Sequence, residues 1–185
     1  MRNALRRISL GALSTGMIVG MAAGTAILPA NAAAATSRHL VAAARPRAEV
    51  WPIVSQGAKG TRVRAIQYLL NHWGFKVGVD GDFGSATAAK VKDFQRNQHI
   101  DPTGIVGDMT WPRLIVTVHH GDHGDAVRAV QDYLHRAYGF ASLPVTGNFL
   151  DQTLAAVKTF QTRYHLEVDG IVGPMTWHAL VSIHD

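Results

Sequence analysis

The chain has 185 residues, of which 47% are apolar and 17% are charged, and its formal net charge is +5 at pH 7. This balance is typical of globular proteins and excludes a largely disordered chain. The sequence contains no cysteine, which excludes disulfide bonds and thiol chemistry.

The first 32 residues have the three parts of an export signal peptide. MRNALRR is a basic segment, residues 8–28 are uncharged and largely apolar, and Ala30 and Ala32 form a small-x-small cleavage site. We predict cleavage after Ala32, no stable membrane insertion afterwards, and a secreted or wall-associated product. Because the apolar run is about 20 residues long, an uncleaved membrane anchor is the alternative.

The charge of the exported part is close to neutral. The leader contains three arginines, which leaves 15 basic residues against 13 acidic ones in the rest of the chain, a net charge of +2. The basic residues form no cluster, so the sequence does not predict a nucleic-acid partner.

Residues 33–54 are rich in alanine and arginine, contain Pro46 and Pro52, and have no sustained periodicity. These features predict a flexible linker. The remainder is a tandem repeat, because residues 80–95, DGDFGSATAAKVKDFQ, match residues 146–161, TGNFLDQTLAAVKTFQ. We therefore predict two small domains, at residues 55–117 and 118–185.

Three helices are predicted in the first domain. Thr61 is expected to cap the first helix and Gly74 to end it. The buried face of this helix is predicted at helically spaced positions, namely Val63, Ile66, Leu69, Leu70 and Trp73. The second helix is predicted to start near Ser85 and to bury Thr87, Ala88, Val91 and Phe94. A short third helix is predicted from about Asp108, burying Met109, Trp111 and Leu114.

The second domain repeats this plan. Asp125 is expected to cap its first helix, Gly139 to end it, and Pro174 to open its third helix. Its inner face is predicted to carry Val127, Val130, Leu134, Ala137, Leu154, Val157 and Phe160. The predicted fold class is all-α, with two tandem three-helix modules and, we expect, a monomeric chain.

The repeated motifs resemble the peptidoglycan-binding domain 1 family, twice, over about residues 55–183. The resemblance rests on DG-x-F-G-x-x-T, V-K-x-F-Q and DG-I-V-G-x-x-T-W-x-x-L. It implies a non-catalytic three-helix module that attaches proteins to the bacterial cell wall, and in the family such modules usually accompany a wall-degrading or wall-modifying enzyme. The copies depart from the pattern differently, with Asp108 in place of proline in the first and Thr146 and Leu150 in the second.

The candidate ligand-binding residues surround the loop between the first two helices. Asp80, Asp82 and Arg62 would offer polar contacts, and Tyr68 would offer a face for stacking. This loop presents short polar side chains on tight glycine turns. The alternative that Asp80 only caps its turn remains open.

Other kinds of site are not favoured by the sequence. DGDFG lacks the later oxygen ligands of a calcium loop, and His119, His120 and His123 lack the spacing of a zinc-protease helix. The glutamines repeated in the two copies, Gln67, Gln95, Gln131 and Gln161, are predicted to bond to loop backbone. No nucleophile and base recur together, so we predict no enzyme activity, no metal and no cofactor.

The sequence favours secreted, non-catalytic binding of peptidoglycan. It leaves two alternatives open, an inhibitor or regulator that docks on a separate cell-wall hydrolase, and a hydrolase whose active site is unrecognised. Whether the glycan or the stem peptide is bound is also open.

Overall fold

Residues 50–183 are described by a computed structural model, and the predicted leader and most of the predicted linker lie outside them. The described residues form six helices, consistent with the predicted pair of three-helix modules. The helices are α1 (Thr61–His72), α2 (Ser85–Asn97), α3 (Trp111–Leu114), α4 (Asp125–Ala137), α5 (Asp151–Arg163) and α6 (Pro174–Ile183). The all-α prediction is therefore confirmed for this part of the chain.

The helices α1 and α4 begin after glycines, without a capping side chain. Gly60 and Gly124 occupy the N-cap positions, each with φ of 109°, a backbone angle that favours glycine. Thr61 and Asp125 are the first helical residues, so the prediction that they cap the helices was wrong. The predicted C-terminal stops are confirmed, since both have positive φ just after the helix: Gly74 and Gly139.

The core of each copy is centred on aromatic side chains. Phe94 and Phe160 are fully buried, as are Trp111 and Trp177. Two residues that we predicted to be buried are exposed, Met109 by 62% and Trp73, the residue directly after α1, by 43%. Because α3 begins only at Trp111, Met109 lies before the helix, and the helical spacing that would turn it into the core does not apply.

The first copy extends further towards the N-terminus than we predicted. Trp51 is 6% exposed and stacks on Trp111, with ring centroids 5.9 Å apart. Val54 pairs with Val106 through backbone bonds of 2.9 and 2.8 Å. Trp51 and Val54 therefore pack against the first copy, although the sequence placed them in a flexible linker.

The helices α1 and α4 pack against each other and join the two copies. Asp132 of α4, whose side chain is 3% exposed, accepts a 2.7 Å bond from Arg64 Nε of α1 and a 2.8 Å bond from Arg136 Nε. Arg62 Nε also reaches across the copies and donates to Val181 O at 2.7 Å. The two copies are therefore packed together, and one buried carboxylate holds an arginine from each.

Candidate functional site

Four buried glutamines hold the loops of the two copies in shape. Gln95 is typical, because its Oε1 accepts a 2.8 Å bond from Gly104 N and its Nε2 donates to Ile105 O at 2.8 Å and to Thr110 Oγ1 at 2.9 Å. The same pattern of glycine, carbonyl and threonine partners recurs at Gln67, Gln131 and Gln161. The prediction that these amides bond to loop backbone is confirmed.

Asp80 and Asp82, two of the predicted ligand-binding residues, lie in one of these loops. Asp80 Oδ1 accepts bonds from Asp82 N at 2.8 Å and from Gln67 Nε2 at 2.7 Å. These bonds lower the pKa of the Asp80 carboxyl. Asp82 Oδ2 lies 2.6 Å from Lys59 Nζ in an exposed ion pair. Asp80 thus has the turn-capping role that the sequence left open.

Arg62 and Tyr68, the other two predicted residues, lie on α1. Arg62 bonds to the backbone of α6, as described above. Tyr68 is half-buried against the core, and the Arg64 guanidinium lies 5.9 Å from the centre of its ring. Each of the four predicted residues therefore has a partner within the protein, and their contact with a ligand remains a prediction.

A pocket of about 580 Å³ opens at the next loop, between α2 and α3. Its apolar wall includes Ile53, Ile105 and Met109, which are 78%, 43% and 62% exposed. His99 and Asp101 also line it. A cluster of exposed apolar side chains around a concavity is typical of a binding site, because such surface is normally buried.

The second copy has a pocket of about 410 Å³ at the equivalent place, between α5 and α6. Its lining residues correspond to those of the first pocket at an offset of 66 positions, as in Ile171, Met175 and His165. Met175 is 62% exposed, the same fraction as Met109. We name these two cavities the paired pockets. Their recurrence makes them the strongest candidate site in residues 50–183.

Each of the paired pockets is lined by a histidine with an unusual backbone conformation. His99 and His165 both have φ of 55°, and no other non-glycine residue in the described range has positive φ. Each follows the end of a helix, at the position that Gly74 and Gly139 occupy after α1 and α4. Both histidines therefore stand where glycine would be more stable.

Sequence reasoning missed the paired pockets because it treated repeated apolar residues as core. Residues 104–111, GIVGDMTW, and 170–177, GIVGPMTW, differ at only one position. Ile105 and Ile171 fall in loops, Met109 lies before α3, and Met175 is the second residue of α6, so none of them lies on the buried face of a helix. That placement was the available signal.

The histidine cluster considered for metal binding is dispersed. His120 Nε2 lies 3.0 Å from Asp151 Oδ1, whereas His119 Nδ1 faces His120 O at 3.1 Å. Within residues 50–183 there is no group of three or more His, Asp or Glu side chains that could hold a metal ion. No helix in that range is long and apolar enough to cross a membrane.

The chain is similar to two curated cell-wall enzymes. It is 30% identical over 159 residues to a probable N-acetylmuramoyl-L-alanine amidase from Bacillus licheniformis, covering 71% of this chain and 45% of the amidase. It is 32% identical over 128 residues to a zinc D-Ala-D-Ala carboxypeptidase from Streptomyces albus G, covering 67% of this chain and 47% of the carboxypeptidase. The chain thus spans about half the length of these relatives.

The chain is also similar to a solved structure and matches one sequence family. The structure, a peptidoglycan-binding protein from Clostridioides difficile in complex with glutamine hydroxamate, is 36% identical with a TM-score of 0.34, covering 34% of this chain and 40% of that one. The family, described as "Putative peptidoglycan binding domain", matches residues 59–114 and 123–180. The chain therefore belongs to this family of peptidoglycan-binding domains, in two tandem copies.

Proposed function

We propose that the chain is secreted and binds bacterial cell-wall peptidoglycan without catalysing a reaction, through the paired pockets. The observation that carries this proposal is the recurrence of one exposed apolar pocket at equivalent residues of both family domains. The leader-like first 32 residues support secretion.

Two copies suit a repeating polymer. Once one pocket is occupied, the other is held near further copies of the same ligand, so its binding becomes intramolecular. The packing of α1 against α4 strengthens this effect, because fewer relative orientations of the copies are lost on binding. We therefore expect the tandem to bind the wall more tightly than one copy could.

Purified sacculi test the proposal directly. The chain, secreted by a bacterial expression host, should sediment with intact sacculi, and Met109→Asp with Met175→Asp should reduce the retained fraction about tenfold or more. Leu150→Asp with Ile183→Asp is the matched control, because both residues are exposed and apolar but line neither of the paired pockets. Equal loss in both double variants would locate binding elsewhere.

Catalysis can be measured in the same samples. Sacculi incubated with the parent chain should release no more reducing sugar or free amine than sacculi incubated with boiled protein. Release well above that baseline would contradict the non-catalytic part of the proposal.

A further inference from the structure

We propose that the paired pockets bind the peptide stem of peptidoglycan and not its glycan strand, and that His99 and His165 contact this ligand. This inference rests on the proposed function and specifies which part of the polymer the site recognises.

The apolar part of the lining of the paired pockets is aliphatic, and neither pocket is lined by phenylalanine, tyrosine or tryptophan. Proteins that hold sugars commonly place an aromatic face against the ring, because it is apolar and rigid. Among the phenylalanine, tyrosine and tryptophan side chains of residues 50–183, only Trp73 is exposed, and it lines neither pocket and donates its indole N–H to Leu114 O at 2.9 Å. Isoleucine and methionine walls instead suit small aliphatic side chains such as the methyl group of alanine.

Each pocket also carries an acidic residue at the same position. Asp101 in the first pocket corresponds to Glu167 in the second, so the negative charge is kept although the residue differs. Stem peptides contain alanine and a diamino acid, whose ammonium group is the complement of such a carboxylate. Glycan hydroxyl and acetamido groups carry no positive charge. The pairing of aliphatic wall and carboxylate therefore favours the peptide.

The strained histidines supply the second line of argument. A non-glycine residue in the left-handed region of backbone conformation lowers the stability of the folded protein, and such residues concentrate at functional sites. The chain uses glycine at the corresponding positions after α1 and α4, but histidine after α2 and α5, where the pockets lie. An imidazole can donate a hydrogen bond to a peptide carbonyl or carboxylate. We infer that this contact is the reason for the strained position.

Replacing both histidines by glycine tests the backbone strain and the ligand contact separately, through Tm and through retention on sacculi. His99→Gly with His165→Gly should raise Tm by about 2–4 °C per site, because the strain is relieved. The same variant should lose about tenfold or more of its retention on sacculi. A rise in Tm with full retention would overturn the ligand contact, and no rise would overturn the strain argument.

The reverse exchange is the matched control. Gly74→His with Gly139→His places histidine at the equivalent helix ends outside the pockets, where an added Cβ would meet no atom within 4 Å. This variant should have a lower Tm and unchanged retention when binding is measured well below the transition. A comparable loss of retention would show that helix-end strain alone disturbs binding and would overturn the assignment to the histidines.

The ligand itself is tested with two forms of the wall. Sacculi digested with an N-acetylmuramoyl-L-alanine amidase leave glycan strands without stems, and the released stem peptides serve as competitors. Retention should fall about tenfold or more on the stripped strands, and the peptides should displace the chain from intact sacculi. Equal retention on stripped strands would overturn the peptide assignment but not the proposed function. Failure to bind intact sacculi would overturn the proposed function.

Discussion

Replacing Asp132 by alanine should destabilise the protein through the contact between α1 and α4. The carboxylate accepts bonds from Arg64 Nε and Nη2 at 2.7 and 3.3 Å and from Arg136 Nε at 2.8 Å, and its side chain is 3% exposed. Removing one partner of a buried ion pair typically costs about 3–5 kcal/mol. Arg64 is 19% exposed and keeps a bond to Val79 O, so water and backbone offset part of the loss. We therefore expect a cost of about 2–3 kcal/mol.

Urea unfolding followed by far-ultraviolet circular dichroism would measure this change. The midpoint of Asp132→Ala should fall by about 1–2 M relative to the parent chain. Asp93→Ala is a matched control, since Asp93 also holds two cations, Lys90 and Arg96, but is 44% exposed. The control should lose less than about 1 kcal/mol. Equal losses in the two variants would refute the argument that burial makes the Asp132 contact strong.

Three further predictions concern the loops and the core. Gln95→Ala should lower the free energy of unfolding by about 2–4 kcal/mol, because Gly104 N and Thr110 Oγ1 lose their hydrogen bonds to the Gln95 amide. The control Gln152→Ala, at an exposed position, should change the urea midpoint little. Phe94→Ala should cost about 3–5 kcal/mol in the same assay, because it empties a fully buried site; a midpoint equal to the parent's would contradict its place in the core. The lowered pKa of Asp80 means that its carboxylate stabilises the native state near neutral pH and that this contribution is lost as the pH falls through that pKa. In urea melts at a series of pH values, Asp80→Asn should therefore lose less stability than the parent chain as the pH falls. An equal loss in the two proteins would contradict the stabilising role of the Asp80 carboxylate.

The helical architecture was largely predictable from the sequence. Apolar residues recur at helical spacing, and the glycines after α1 and α4 mark their ends, because glycine adopts positive φ without strain. The repeat made the prediction stronger, since the same plan had to satisfy both copies. Local errors arose where a residue's type suggested a role that the backbone did not give it. Thr61 is a good capping residue, but Gly60 takes the cap position because its φ is 109°.

The candidate site was not predictable to the same degree. The loop of Asp80 and Asp82 has more polar residues, which drew the sequence-based prediction, yet its carboxylates bond within the protein. The paired pockets are formed by apolar side chains that a sequence pattern cannot distinguish from core. Met109 before α3 and Met175 in the first turn of α6 are equally exposed, and only the packed structure shows that both face solvent.

By itself, the sequence determined the tandem repeat and the all-α class, because periodicity and turn chemistry are local properties that recur along the chain, and the resemblance of its repeated motifs indicated the family. The tertiary structure decided which apolar residues are exposed and how the copies meet. Asp132 occupies the position of Tyr68 in the repeat, and nothing local to it indicates an arginine of the other copy 68 residues away. Contacts of that kind depend on the packing of α1 against α4, and the exposure of an apolar residue depends on which elements pack over it, so neither is encoded in any single stretch of sequence.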